Sequence, residues 1–221
     1  MIRNGFTVIL IALFFLVQCT GNKKKEKTAA YTKAEAIEEK DSTYLFNGKN
    51  LDGWEITNFG PQGPVYVSGG SIILGMGEGC TGITWKGEFP ETNYRVTLEA
   101  KRVSGNDFFC GMTFPVGKDP CTLIVGGWGG SVTGLSSINK MDASENETTK
   151  YMKFDTDRWY RICLTVREDT VKALIDDEVI VDFAKGNKML TIRPEVDLSK
   201  PFGIASWYTM AALRNIKLEK I

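Results

Sequence analysis

From about residue 44 onward the chain alternates apolar and polar residues in short runs, a period of two that admits little besides sheet. Tyr94, Val96, Leu98 and Ala100 point one way, while Arg95, Thr97, Glu99 and Lys101 point the other. Tyr160, Ile162, Leu164 and Val166 repeat the pattern opposite Arg161, Cys163, Thr165 and Arg167. Ser71-Ile72-Ile73-Leu74 follows a Gly69-Gly70 turn. Val171, Ala173 and Ile175 lead through a tight Asp176-Asp177-Glu178 turn into Val179, Val181 and Phe183, which predicts a hairpin. Further runs over 202–208 and 213–218 close the series. Gly, Pro, Asn and Asp separate the runs, and no helical periodicity persists beyond about three turns. The pattern predicts an all-β sandwich or jelly roll of roughly ten or more strands.

The stretch 105–134, GNDFFCGMTFPVGKDPCTLIVGGWGGSVTG, reads as its central hairpin. Phe108, Cys110, Met112 and Phe114 are expected on one face, with a turn over 115–120 and then Cys121, Leu123 and Val125 on one face of the return strand. If both faces point inward, Cys110 and Cys121 form a cross-strand disulfide or a buried thiol pair, and Cys80 and Cys163 are lone thiols. Gly126, Gly127, Gly129 and Gly130 surround Trp128. Backbone this bare lets a ligand or another chain approach closely, and an aromatic there can stack on a sugar ring. A tight bend around a core tryptophan fits the same residues.

The first 43 residues read differently. Residues 1–18 have the form of an export signal, with Arg3 ahead of an apolar run from Phe6 to Val17. That run is shorter than the roughly 20 residues a membrane-spanning helix needs. Leu16-Val17-Gln18-Cys19 is similar to a bacterial lipobox, which makes Cys19 the expected lipidated first residue of the mature chain. Gln18 departs from the small residue usual there, and an ordinary secretory signal fits as well. Either way the expected location is exported: periplasmic, or anchored at the outer membrane or cell surface. Residues 19–43, rich in Lys, Glu and Ala, are expected to be a flexible tether, since they hold too little apolar surface to fold alone. The 27 basic and 27 acidic side chains of the whole chain balance, so there is no basic footprint for nucleic acid.

Residues 44–221 resemble one family at both ends. Leu45-Phe46-Asn47-Gly48-Lys49-Asn50-Leu51-Asp52-Gly53-Trp54 is similar to the opening motif of the 3-keto-disaccharide hydrolase domain family, and Leu213-Arg214-Asn215-Ile216-Lys217-Leu218 to its final strand. Asp157-Arg158-Trp159-Tyr160-Arg161-Ile162 and the hairpin around Asp176 resemble its late strands. The resemblance implies a concanavalin A-like (laminin-G-like) jelly-roll sandwich of two antiparallel sheets, one concave. It also implies cleavage of glycosides already oxidised at C3. In the middle the chain departs from the family, with Asn106-Asp107-Phe108-Phe109 where many members carry Asn-Ser-Gly, an aromatic and Arg.

A C3 ketone acidifies the C2 proton, so cleavage needs a base near C2, an acid for the leaving group and something to polarise the ketone. The chain has no histidine. The base is therefore a carboxylate, tyrosine or lysine, and any metal site is oxygen-rich, suiting Ca²⁺ or Mg²⁺. Glu99 and Asp107 are the catalytic candidates because both lie on or beside strands, and Glu99 matches the acidic residue of the family's corresponding strand. Trp128, Asp142, Glu145, Glu147, Tyr151, Trp207 and Arg214 are the expected substrate-binding residues. Two other functions fit the same residues. One is a non-catalytic carbohydrate-binding module using Trp128, Tyr151, Trp207 and Tyr208; the other is a lipid-anchored protein-interaction domain.

Overall fold

The computed structural model describes residues 42–221. The expected export signal, the Cys19 anchor and the tether as far as residue 41 lie outside those residues. Fifteen strands follow one another among the described residues. They are Ser42–Tyr44 (β1), Trp54–Ile56 (β2), Val65–Ser68 (β3), Ser71–Leu74 (β4), Cys80–Trp85 (β5), Tyr94–Gly105 (β6), Cys110–Val116 (β7) and Asp119–Gly127 (β8). Then come Val132–Ser136 (β9), Lys150–Tyr151 (β10), Tyr160–Val166 (β11), Thr170–Ile175 (β12), Glu178–Ala184 (β13), Gly203–Trp207 (β14) and Thr209–Lys220 (β15). A short 3₁₀ helix, Pro194–Ser199, precedes β14.

The strands form two antiparallel sheets, as the alternation and the family resemblance predict. The front sheet has the order β10-β9-β8-β7-β14-β5-β2, and the back sheet the order β13-β12-β11-β6-β15-β4-β3, with β1 also paired to β15. Back-sheet side chains alternate cleanly: β6 buries Tyr94, Val96, Leu98 and Ala100 and turns Arg95, Thr97, Glu99 and Lys101 outward. Its neighbour β11 sets Ile162 against Leu98 and Leu164 against Val96, so the apolar rows of both strands meet the same core. From the front sheet, Met112, Phe114, Leu123 and Ile204 close that core. Each such side chain, fully withdrawn from water, contributes about 1.5–3 kcal/mol.

The middle strands of the front sheet, β7, β9 and β8 from Cys121 onward, are buried on both faces, and this is what positions the site. All residues of β7 are buried, Gly111 and Thr113 included. A second apolar cluster of Cys80, Phe108, Ile124, Val132, Ala143, Val196 and Ala205 covers its outer face.

Four expectations need correction. The sheet begins at Ser42, not residue 44, because Ser42 and Thr43 pair with Glu219 and Leu218 through backbone alone. The central turn is only Gly117-Lys118: Pro115 and Pro120 face each other within the β7–β8 ladder. Phe108 does not share a face with Cys110. The Asp107 carboxylate accepts from the Phe108 amide at 2.8 Å, and this local turn delays regular strand until Cys110. Phe108 therefore joins the outer cluster, while Phe109 and Cys110 both enter the core. Finally, Cys110 pairs with Val125 and Cys121 with Phe114, at opposite ends of the hairpin. Four residues of strand separate the two thiols by about 13 Å. They form neither a disulfide nor a thiol pair, and Cys80, Cys110, Cys121 and Cys163 are all free.

Candidate functional site

The loop carrying Trp128 is fixed from the back sheet by Arg102. This residue sits near the end of β6, 5% exposed, and its Nη2 donates to the backbone carbonyls of Asp107 (3.1 Å), Gly126 (3.2 Å) and Gly130 (3.1 Å). Its Nη1 reaches the Phe154 carbonyl at 3.4 Å, and its guanidinium lies over the Phe109 ring. Burial lowers the Arg102 pKa, and nearby Asp107 and Tyr160 oppose that shift. Gly126 has to be glycine here: its φ is +75°, and a Cβ would lie 2.7 Å from Arg102 Nη2. The register shift at this point releases the chain from the ladder. Trp128 then takes a φ of +48° and stands 41% exposed over the outer face of the front sheet.

Beneath it lies a cavity of about 210 Å³. Trp128, Trp207, Phe108 and Ile124 form its apolar side, and Thr122 and Ser136 lie on adjoining strands of its floor. The Phe108 ring lies against the strand because residue 111 is glycine; a Cβ there would stand 2.8 Å from the ring. Trp207 stacks on Phe108 with centroids 6.4 Å apart and meets Tyr208 edge-on at 5.2 Å.

Arg193 and Glu195 add charged groups to the same lining. Asp142 accepts from Ser137 Oγ (2.7 Å), Ser136 Oγ (3.1 Å) and Arg193 Nη1 (2.6 Å). Arg193 also holds Glu195 with two bonds, Nη2 to Oε1 at 2.8 Å and Nε to Oε2 at 3.3 Å. Pro194 opens the 3₁₀ helix between them and sets their backbone. The hydrogen bond from Arg193 lowers the Glu195 pKa, and the same bond raises that of Arg193. Burial first, and Glu195 second, push the Cys80 thiol in this cavity up to about 12, so it is neutral and unreactive at ordinary pH. Asp107 closes the cavity beside Trp128, accepting from the amides of Phe108 and Gly129.

Of the candidates read from the sequence, Asp107, Trp128 and Trp207 come together at this cavity, and Asp142 stands behind its Arg193 wall. Glu145 is exposed, and Glu147 pairs with Lys188 at 2.8 Å away from the cavity. Tyr151 borders a neighbouring groove. Glu99 and Arg214 do not join them. They face each other across β6 and β15 on the outside of the back sheet, bonded to one another, with Asn215 donating to Glu99 at 3.1 Å and Arg214 over the Trp159 ring. Sequence reading missed Arg193 and Glu195, which belong to a short non-strand segment with no periodicity to mark it. Among the described residues no three acidic or cysteine side chains gather where they could hold a metal ion. The acidic loop spreads its carboxylates toward Arg193, Lys188 and solvent.

A two-sheet sandwich with an aromatic-walled cavity on one outer face defines the structural class. The sequence profile of the 3-keto-alpha-glucoside-1,2-lyase-like domain matches residues 41–219, and the chain belongs to that family. No curated protein matches the chain in sequence. Among solved structures, the fold is similar to a candidate glycosyl hydrolase from Parabacteroides distasonis ATCC 8503, at 14% identity and TM-score 0.56, covering 85% of this chain and 97% of that one. It is also similar to the carbohydrate-binding module CBM66 from Bacillus subtilis (14% identity, TM-score 0.51, 80% and 99% covered). The Crh5 transglycosylase, solved in complex with NAG, is similar at 15% identity and TM-score 0.57, with 81% and 84% covered.

Proposed function

We propose that the cavity on the outer face of the front sheet binds one sugar ring. The observation that carries this reading is the pairing of Trp128 and Trp207 with Asp107, Arg193 and Glu195 around a single hollow of about 210 Å³. A sugar ring offers an apolar C–H face to an aromatic and a rim of hydroxyls to charged acceptors and donors. The cavity lining supplies both. The carbohydrate-binding module and the sugar-bound transglycosylase that share the fold support the reading.

A second reading, cleavage of 3-keto-glycosides, is favoured by one observation: two carboxylates, Asp107 and Glu195, border the same cavity with a guanidinium beside one of them. Glu195, kept ionised by Arg193, would take the C2 proton. The electron pair forms the C1=C2 bond as the C1–O bond breaks, and Arg193 offsets the negative charge that develops on the ketone oxygen. The departing oxygen would take its proton from a solvent water held at Asp107, and Glu195 would return the C2 proton to solvent, so that one proton is removed and one supplied. The products are a 1,2-unsaturated 3-keto sugar and the free alcohol; water adding across the new double bond completes hydrolysis. If residues 1–19 act as the export and anchoring signal they resemble, this chemistry takes place at a membrane surface outside the cytoplasm.

Calorimetric titration with sugars and a turnover assay on a 3-keto-glucoside test both readings. Trp128→Ala should weaken sugar binding about 10-fold, the loss of one aromatic stacking contact. Glu195→Gln or Asp107→Asn should lower turnover about 10²-fold or more if cleavage is the function. Binding that depends on Trp128, without turnover, leaves the first reading alone; absence of sugar binding overturns it.

A further inference from the structure

We propose that the cavity prefers a sugar carrying a protonated amine, an amino sugar with its nitrogen unacylated, over an uncharged sugar of the same shape. The proposal rests on the single-ring reading of the cavity and names the class of ring. Asp107 and Glu195 set two carboxylates in the lining against the single guanidinium of Arg193, and among the described residues no lysine lines the hollow. Arg193 is already committed: Nη1 is bonded to Asp142 at 2.6 Å, and Nη2 and Nε to Glu195 at 2.8 Å and 3.3 Å. One guanidinium therefore serves two carboxylates and leaves a negative charge in excess. The Asp107 carboxylate accepts from the amides of Phe108 and Gly129 rather than from a cation. Arg102 is close enough to feel Asp107, but it is bonded to the carbonyls that hold the loop and lies outside the lining. With Arg102 counted, Asp107, Asp142 and Glu195 still outnumber the two guanidiniums.

The rings act in the same sense. An aromatic face is the negative side of the ring, and it attracts a cation most strongly where water is partly excluded. Trp128, Trp207 and Phe108 all line the hollow. Among the described residues the chain's own cations lie over Phe109, Trp159, Tyr160 and Phe183, and none lies over these three. The cavity thus gathers three rings and two carboxylates with no cation of the chain stacked among them. The Cys80 thiol reports the sign of the field: Glu195, although held by Arg193, adds to burial in pushing that thiol up, and no cation opposes it. An uncharged ring gains only stacking and hydroxyl contacts here. An ammonium on the same ring gains the carboxylates and the ring faces as well, and an acidic sugar meets the same field with the wrong sign.

Matched methyl glycosides of glucosamine, N-acetylglucosamine, glucose and glucuronic acid would be titrated into the full chain by calorimetry at about pH 6, below the usual range of an amine. The wild type should bind the glucosaminide at least about 10-fold more tightly than the glucoside, with the glucuronide weakest. The N-acetylated ring, which carries no charge, should lose that gain. Raising the pH through the titration of the amine, or raising the salt, should narrow the ratio of glucosaminide to glucoside affinity. Asp107→Asn and Glu195→Gln should each cut that ratio several-fold, whatever they do to either affinity alone. Equal affinity for glucosaminide and glucoside, or a ratio unchanged in both amide variants, would overturn the amine preference and leave the single-ring site standing. If none of the four glycosides binds, the single-ring reading itself falls and the preference with it.

Discussion

Replacing Arg102 by methionine keeps the length of the side chain and removes the donors that tie the Trp128 loop to the back sheet. Nη2 carries two hydrogens and serves three carbonyls, those of Asp107, Gly126 and Gly130, so it supplies the equivalent of two good bonds rather than three. Bonds from a charged donor are worth about 1.5–3 kcal/mol each, which gives roughly 3–6 kcal/mol lost. Part of this is returned, because methionine ends the burial of a cation whose Nε has no partner. The net expectation is a loss of about 2–4 kcal/mol, within the 5–15 kcal/mol typical of a folded domain, so the protein stays folded. For a domain of this size each kcal/mol shifts the thermal midpoint by about 2–4 °C, so calorimetry should find a fall of roughly 5–15 °C. Arg102→Lys should fall between, since an ammonium can satisfy only part of the ring of carbonyls. Sugar affinity should drop in Arg102→Met as Trp128 loses its anchored position. A midpoint unchanged within about 2 °C, with Trp128 fluorescence unaltered, would refute this account of how the loop is held.

Two further predictions concern the charged wall and the cavity thiol. The hydrogen bond from Arg193 lowers the folded-state pKa of Glu195 below the reference 4.5. Its contribution to stability is therefore complete above that pH and is lost as the pH falls through the lowered folded value. With both side chains 40–45% exposed the contribution is small, so carboxyl NMR is the better readout. In Arg193→Met the Glu195 titration midpoint should move upward, and an unmoved midpoint would contradict the pairing. Native protein at pH 8 should resist iodoacetamide at Cys80, whose thiol is pushed up to about 12, and unfolding should expose four free thiols in the described domain without reduction. Rapid native labelling of Cys80, or fewer than four thiols, would contradict the free, buried assignment.

The sandwich was legible because β6 and β11 face a dry core on one side and solvent on the other, which writes the alternation into residues such as Tyr94-Arg95-Val96. Trp128 stood out because glycines on both sides left its neighbours without side chains. The front strands gave a weaker signal: buried on both faces, β7 and β8 do not show which face meets the sheet opposite and which meets the site. The alternation around Glu99 shows that it points away from the core, yet carries nothing about which sheet bears the cavity. Glu99 and Arg214 consequently proved to be a cross-strand pair on the far side. Arg193 and Glu195 gave no signal, since a charged side chain on a short irregular segment acquires its meaning only from the strands it folds over.

The most direct test of the sugar site follows the tryptophan indole N–H signals of ¹⁵N-labelled protein during titration with the matched glycosides. The chain's five tryptophans provide reporters on both sides of the sandwich. Trp128 and Trp207 border the cavity, whereas Trp159 lies beside Glu99 and Arg214 on the back sheet. The account predicts saturable shifts at Trp128 and Trp207 with Trp159 unmoved. Shifts at Trp159 while Trp128 and Trp207 stay fixed would contradict it and move the site to the other face.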